Sequence, residues 1–470
     1  MAFSALIERL GLERLGLERL RKRGMAAPIT AEEPEHFGGE PLRVLISPLS
    51  GDFDNRAARH IHDRLVGRVG LNVRITERPL TAPGAENSQP VFLSMAVDLG
   101  RRWLLRENAD LLIWGDAVSA ASLTKDQKPG QSWRLRFLSA STPVRPLGAT
   151  LSALERMEVP AFFNTTISDL IFGAALAAVN VETPEGLRAR AALFGPTLKR
   201  AAHSAEGDML GTVAQCATMQ ACYAALLLLD GARSGDTLTL EKAVSVYRGA
   251  LILGDDAFPA HEKAMIGTHM ADAMALIAEA TDHARLADKT VEYYRTALTM
   301  VRKDIFADDY AALKTRLGLA LNIMAEIHND ARYLDEATEA FSQATSIWTI
   351  SEAPVRWADI QNSMGGLLIT MGKLTKEPTL FDKAVGVFIK IAEQMNRKKS
   401  PVVWATTLAN IGAALKEKGE AVQSHDYLKQ AVVAFNQAEQ VFADLQLEGN
   451  ARIVGTQRAA AMHALEAKIS

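Results

Sequence analysis

Five aromatic residues stand 47 positions apart: Tyr247, Tyr294, Phe341, Phe388 and Phe435. Aromatics make up only 6% of the chain, too few for that register to arise by chance. Other columns keep the same period. Four residues before each aromatic stand Ala243, Thr290, Ala337, Ala384 and Ala431, and three after it Ala250, Ala297, Ala344, Ile391 and Ala438. Upstream runs a column of small residues, Ala224, Ala271, Gly318, Gly365 and Gly412, each preceded by a large apolar residue and followed three later by Leu227, Met274, Leu321, Leu368 and Leu415.

These spacings have a direct physical meaning. A small residue with Leu or Met at +3 sets a close-approach point inside the apolar stripe of one helix, and Ala, aromatic and Ala at 0, +4 and +7 share one face of a second. The reading is a helical hairpin whose aromatic fills the space between neighbouring pairs. A hairpin of this kind cannot bury its faces alone, so stacking must create the core. Polar stretches such as Asp230–Asp236 and Gly372–Pro378 read as the loops inside a repeat. Five repeats cover residues 216–450. One further step back puts Arg200 in the aromatic column, so 151–215, with helices near 160–181 and 185–204, reads as a connector or amino-terminal cap. Residues 451–470 read as a carboxyl-terminal capping helix. The fold class expected is mostly α, an α-solenoid of helical hairpins behind a small α/β domain.

The pattern Leu/Met–Gly/Ala–x–x–Leu followed by Ala–x–x–x–Phe/Tyr–x–x–Ala resembles the tetratricopeptide repeat. The period is longer than the family's, about 34 residues, which implies longer helices and an enlarged inter-helix loop. Trp357-Ala-Asp-Ile-Gln-Asn-Ser-Met-Gly365 and Trp404-Ala-Thr-Thr-Leu-Ala-Asn-Ile-Gly412 look like the long bacterial variety. The resemblance implies a concave surface lined by first helices that holds a protein or peptide. At the family's binding positions stand Thr268, Asp272, Thr315, Asn322, Asp359, Asn362, Lys416 and Glu417. The Lys, Arg and Asn arrangement that grips a terminal carboxylate in this family is not visible among them.

From Pro41 to about residue 150 the pattern is β-α-β-α-β-β, the order of a small layered α/β domain. Strands read at Leu42–Ser47, Val73–Ile75, Ala109–Gly115 and Trp133–Phe137, the last alternating as though one face were wet. Helices read near 56–69, capped by Asp54 or Asn55, and near 91–107, with residues 81–90 as a loop. Val44–Asp52 and Ala109–Gly115 resemble the matching strands of TolB amino-terminal-domain-like modules, which implies an interaction or sensory role. Gly51-Asp52 carries too few glycines for a phosphate cradle and reads as a turn with a helix cap. His60 and His62, two apart on a helix, point away from each other and do not chelate.

Composition narrows the function classes. With 52 basic and 55 acidic residues the formal net charge is −3, which disfavours a nucleic-acid partner. Two cysteines, Cys216 and Cys222, cannot build a disulfide framework or a four-cysteine zinc site; they read as buried small apolar residues in a reducing compartment. The longest apolar stretch, Ile167–Val181, is short for a membrane span. The first 24 residues carry Gly-Leu-Glu-Arg-Leu twice and then Arg21-Lys22-Arg23; charges break any signal peptide. They read as a tail or targeting helix within a 1–40 extension, or as sequence upstream of a start at Met25. No hydrolase, metalloprotease, Walker or dinucleotide motif occurs. The expectation is therefore a cytoplasmic, non-enzymatic adaptor without cofactor, metal or transmembrane segment, open to homo-oligomer formation. The alternative is a regulator whose α/β domain senses a nucleotide or small molecule.

Overall fold

The computed structural model describes residues 41–52, 54–68, 70–80, 90–118, 132–139, 151–161, 163, 165–179, 211–281, 283–395, 397–398, 400–445 and 448–466. The repeated first 24 residues, the 81–89 loop and the helix read at 185–204 lie outside them. The α/β domain runs β1 (Leu42–Ile46), α1 (Arg56–Leu65), β2 (Leu71–Ile75), α2 (Pro90–Arg106), β3 (Leu111–Val118), β4 (Ser132–Ser139), β5 (Met157–Pro160) and α3 (Thr165–Ala178). Its sheet has the order β2-β1-β3-β4-β5, with β1 parallel to β2 and β3, and β4 antiparallel to both neighbours.

Three expectations about this domain change. The sheet continues past residue 150, because β5 pairs with β4 from Ser132↔Pro160 to Leu135↔Met157. A four-residue strand is too short to show a period. The helix cap is Asp52, whose carboxylate accepts the Ala57 N–H at 2.6 Å; Asn55 sits at the cap with a left-handed backbone and no side-chain bond. The alternating β4 has no wet face: Arg134 alone is half-buried and every other residue is buried. Its expected solvent side, Arg134 and Arg136, meets Glu158 of β5 and Glu262 of the helical array.

That array consists of α4 (Val213–Ser234), α5 (Thr237–Leu253), α6 (Ala260–Ala280), α7 (Ala284–Met300), α8 (Ala307–His328), α9 (Arg332–Thr345), α10 (Pro354–Thr375), α11 (Thr379–Gln394), α12 (Pro401–Ala421), α13 (His425–Asp444) and α14 (Glu448–Glu466). The first helices of the hairpins begin at 213, 260, 307, 354 and 401, and α14 begins at 448, one period further on. The capping helix is thus the first helix of a sixth unit. The loops inside the hairpins are shorter than the sequence suggested. Asp230 through Ser234 and Gly372 through Thr375 belong to the first helices, leaving two- or three-residue turns. Left-handed residues, Gly235, Asn329, Lys376 and Gln423, make four of these turns. The extra length of the period therefore lies in helices of up to 22 residues, not in an enlarged loop inside the hairpin.

All five column aromatics are buried, at 0–2% exposure. Three of them seat against a glycine of their own hairpin. A Cβ added to Gly318 would lie 2.8 Å from Phe341, one added to Gly412 2.8 Å from Phe435, and one on Gly365 closer still to Phe388. Each pair is 23 residues apart, the distance at which an antiparallel hairpin folds back on itself. In these three hairpins the ring thus keys the two helices of one hairpin together, a contact the inter-hairpin placement did not include. The core is continuous from the sheet through Leu226, Met270 and Leu321 to Leu367, so domain and early repeats share one interior. Among the described residues one helix, Val213–Ala232 in α4, is long and apolar enough to cross a membrane, with mean hydropathy 1.3, and exceeds the Ile167–Val181 stretch; 72% of that window is buried in the array.

Candidate functional site

The first helices of a solenoid bear apolar residues on nearly every side, so each polar residue they carry calls for a partner. In α6, Glu262, His269 and Asp272 recur at i, i+7 and i+10, one stripe of the helix. All three are buried. Glu262 receives Arg136 from β4 at 3.1 Å and Arg156, just before β5, at 2.8 Å. His269 Nε2 lies 3.0 Å from Glu155 of the α/β domain, and its Nδ1 lies 3.5 Å from Asp272. Burial pulls the His269 pKa down, but Glu155 and Asp272 outweigh it and raise the value to about 9, so the ring is an imidazolium at neutral pH. Asp272 also accepts the Tyr294 hydroxyl at 2.7 Å and Arg316 Nε at 3.0 Å.

A second group of contacts lies at the start of α8. Asp309 accepts a hydrogen bond from Ser152 at 3.1 Å, and burial pushes its carboxyl up to about 6 against the pull of Arg101. Asp308 holds Arg101 at 2.8 Å, Arg356 at 3.2 Å and Trp348 Nε1 at 2.9 Å; burial raises its pKa, but the two guanidinium groups bring it below the ordinary value. Between these groups and α2 lies a cavity of about 370 Å³, lined among others by Ser94, Arg101, Ser152, His269, Asp309 and Arg316. A cavity of this size at a domain boundary, with converging ionisable groups, is the place a small ligand would enter. Among the described residues no group of three His, Cys, Asp or Glu could hold a metal ion.

The eight residues at the family's binding positions take two different places. Thr268, Asp272, Thr315, Asn322 and Asn362 are buried, not spread along an open surface. Thr268 and Thr315 bond back to the carbonyls of Ala264 and Ala311. Asp272 serves the network above, and Asn362 exchanges bonds with Thr407 and Asn410 of α12, each at 3.1 Å. Together with Thr370–Glu326 at 2.8 Å, these contacts tie successive first helices to one another. The first helices thus approach closely enough for these five residues to satisfy one another, whereas the buried Asn322 Oδ1 has no hydrogen-bond partner among the described residues. Asp359, Lys416 and Glu417 remain half-exposed; Lys416 pairs with Glu420 at 2.8 Å.

Other candidates settle into structural roles. His60 bonds the Phe163 carbonyl at 3.0 Å and lies edge-on to Phe163 and Trp133, while His62 faces Asp63. Cys222 is buried and Cys216 half-buried, and burial raises both thiols. The sequence reading did not single out Arg136, Glu155, Arg156, Glu262, His269 or Asp309. A visible signal existed in the stripe of ionisable residues along an apolar helix.

No family model matches the chain, and no curated protein does. Among solved structures it is similar to BtubC (BKLC) from P. vanneervenii, with 19% identity over 53% of this chain and 88% of that one, at a TM-score of 0.32. It is also similar to a Podosopora anserina putative kinesin light chain with nearly identical TPR-like repeats, with 14% identity over 49% of this chain and 99% of that one, at a TM-score of 0.32.

Proposed function

We propose that the chain is a non-enzymatic scaffold, a long-repeat tetratricopeptide array with a TolB-like amino-terminal module, that binds a protein or peptide in the cytoplasm. One observation carries this reading: the first helices α4, α6 and α8 already hold a folded module, the α/β domain, through buried ion pairs and a shared apolar core. The first helices of the later repeats carry the half-exposed Asp359, Lys416 and Glu417, with the half-buried Trp357 and Trp404 in the same two helices. Affinity purification with the full chain, compared with a variant carrying Asp359→Lys, Lys416→Glu and Glu417→Lys, tests the reading. A specific protein captured by the native chain and lost from the variant is the expected result. Equal capture by both would remove these three residues from the interaction.

The cavity between the modules favours a second reading, in which a small molecule bound there reports its presence to the array. A ligand at about one hundred times its dissociation constant adds ~2.7 kcal/mol to the folded state. A thermal-shift screen of nucleotides and small metabolites on the full chain decides this, and no shift across the set counts against it.

A further inference from the structure

Helix α2 buries Leu93, Ala96, Val97, Gly100 and Leu104 toward the sheet. Gly100 is its seat: a Cβ there would lie 2.6 Å from Leu138 Cδ2, 3.1 Å from Leu80 and 3.2 Å from Leu112. At ~100° per residue, positions two and five away on either side of Gly100 point ~140–160° from it, to the outer face. Those positions are Met95, Asp98, Arg102 and Leu105. All four are exposed, Met95 at 47% and Leu105 at 72%, and Val91 extends the stripe at 52%.

The order along this stripe is apolar, acidic, basic, apolar, and it is symmetric about its midpoint in position and complementary in charge. We propose that the outer stripe of α2 is a twofold interface at which two copies of this chain pair with their α2 helices antiparallel. A twofold axis through the midpoint sets Met95 on Leu105 of the second copy and Asp98 on Arg102 of the second copy, and repeats both contacts by symmetry. A parallel pairing of the same stripe would place Asp98 on Asp98 and Arg102 on Arg102, which like charges oppose. Arg102 is exposed and donates from Nε to the Asp98 carbonyl over a long 3.4 Å, which leaves its terminal nitrogens room to turn toward a facing carboxylate. Leu99 and Trp103, half-buried beside the stripe, widen the apolar contact. Ordering one side by Gly100 thus fixes the geometry of the other.

Sedimentation of the full chain over a range of concentrations tests the proposal, with circular dichroism as the control for folding. The native chain is expected to shift from monomer to dimer, and Leu105→Glu to remain a monomer. Asp98→Arg alone and Arg102→Asp alone should each weaken the dimer by roughly tenfold or more, because each puts like charges in contact. The double variant Asp98→Arg/Arg102→Asp should restore it. A monomer at every concentration overturns the proposal. So does a dimer indifferent to Leu105→Glu, and so does a double variant no stronger than the singles, which would refute the antiparallel register.

Discussion

Truncating Phe388 to Ala removes a ring with no solvent exposure from the seam of the fourth hairpin. At ~150 Å² of buried apolar surface and ~25 cal/mol per Å², the transfer loss is ~4 kcal/mol, within the ~3–5 kcal/mol usual for Phe→Ala. The facing residue is Gly365, which has no side chain to move into the hole. The informative experiment is the cycle with Gly365→Ala. Alone, that change drives a methyl into the ring, an overpacking cost of ~1–3 kcal/mol, offset by ~1 kcal/mol of better helix propensity. The clash exceeds the gain through most of that range, so the single variant should be neutral to destabilising. With the ring gone, the same methyl keeps its propensity gain and partly fills the cavity, so it should stabilise by ~1–2 kcal/mol. The two changes should therefore couple by ~2 kcal/mol. Urea unfolding gives the free energies, and hydrogen exchange of α10 and α11 amides localises the loss, which matters because repeat arrays depart from two-state behaviour. Additivity within ~0.5 kcal/mol would show that ring and glycine do not share this space, and the keyed-hairpin account would fail.

Four further outcomes are expected. Tyr294→Phe should cost ~1–3 kcal/mol because it removes a donor to buried Asp272. Tyr247→Phe should be near neutral, since the Tyr247 hydroxyl is buried without a hydrogen bond among the described residues; denaturant midpoints of the two variants check the contrast. Asp309, its carboxyl raised by burial to about 6 from 3.8, costs the folded state ~3 kcal/mol above pH 6, a cost relieved as pH falls toward 4. Asp309→Asn should therefore raise the melting temperature at pH 7 and leave it little changed near pH 4. His269 has the raised-histidine sign: its stabilisation is complete below 6.5 and lost as pH rises through about 9, so the native chain should weaken over that interval and His269→Gln should flatten the dependence. Glu262→Gln uncovers two buried guanidinium groups and should cost ~3–5 kcal/mol, with amide exchange rising first in β4 and β5.

The legible part of the fold was the part built from local contacts in a fixed register. The ring and glycine of each hairpin are 23 residues apart, and every hairpin repeats the one before, so columns of identity reveal the contact. Strand β5 escaped because four residues, Met157–Pro160, carry no period. The candidate site was less legible. Polar residues on a first helix read equally as an open binding surface or as internal ties, and Thr268, Asp272, Thr315, Asn322 and Asn362 turned out buried. Their partners are 44 residues away for Asp272 and Arg316 and 45 for Asn362 and Thr407, across the stack rather than within a hairpin.

By itself the sequence determined the repeat, the hairpin and the burial of the aromatic column, because periodic apolar patterning commits helices to particular faces whatever lies beyond them. It also placed four strands and two helices of the α/β domain. Only the tertiary structure decided what covers the first helices. Arg136 meets Glu262 across 126 residues, Glu155 meets His269 across 114, and Ser152 meets Asp309 across 157. No pattern along the chain encodes such pairs. They exist because two modules with complementary buried charges close on one core, where a charge without its partner could not be left.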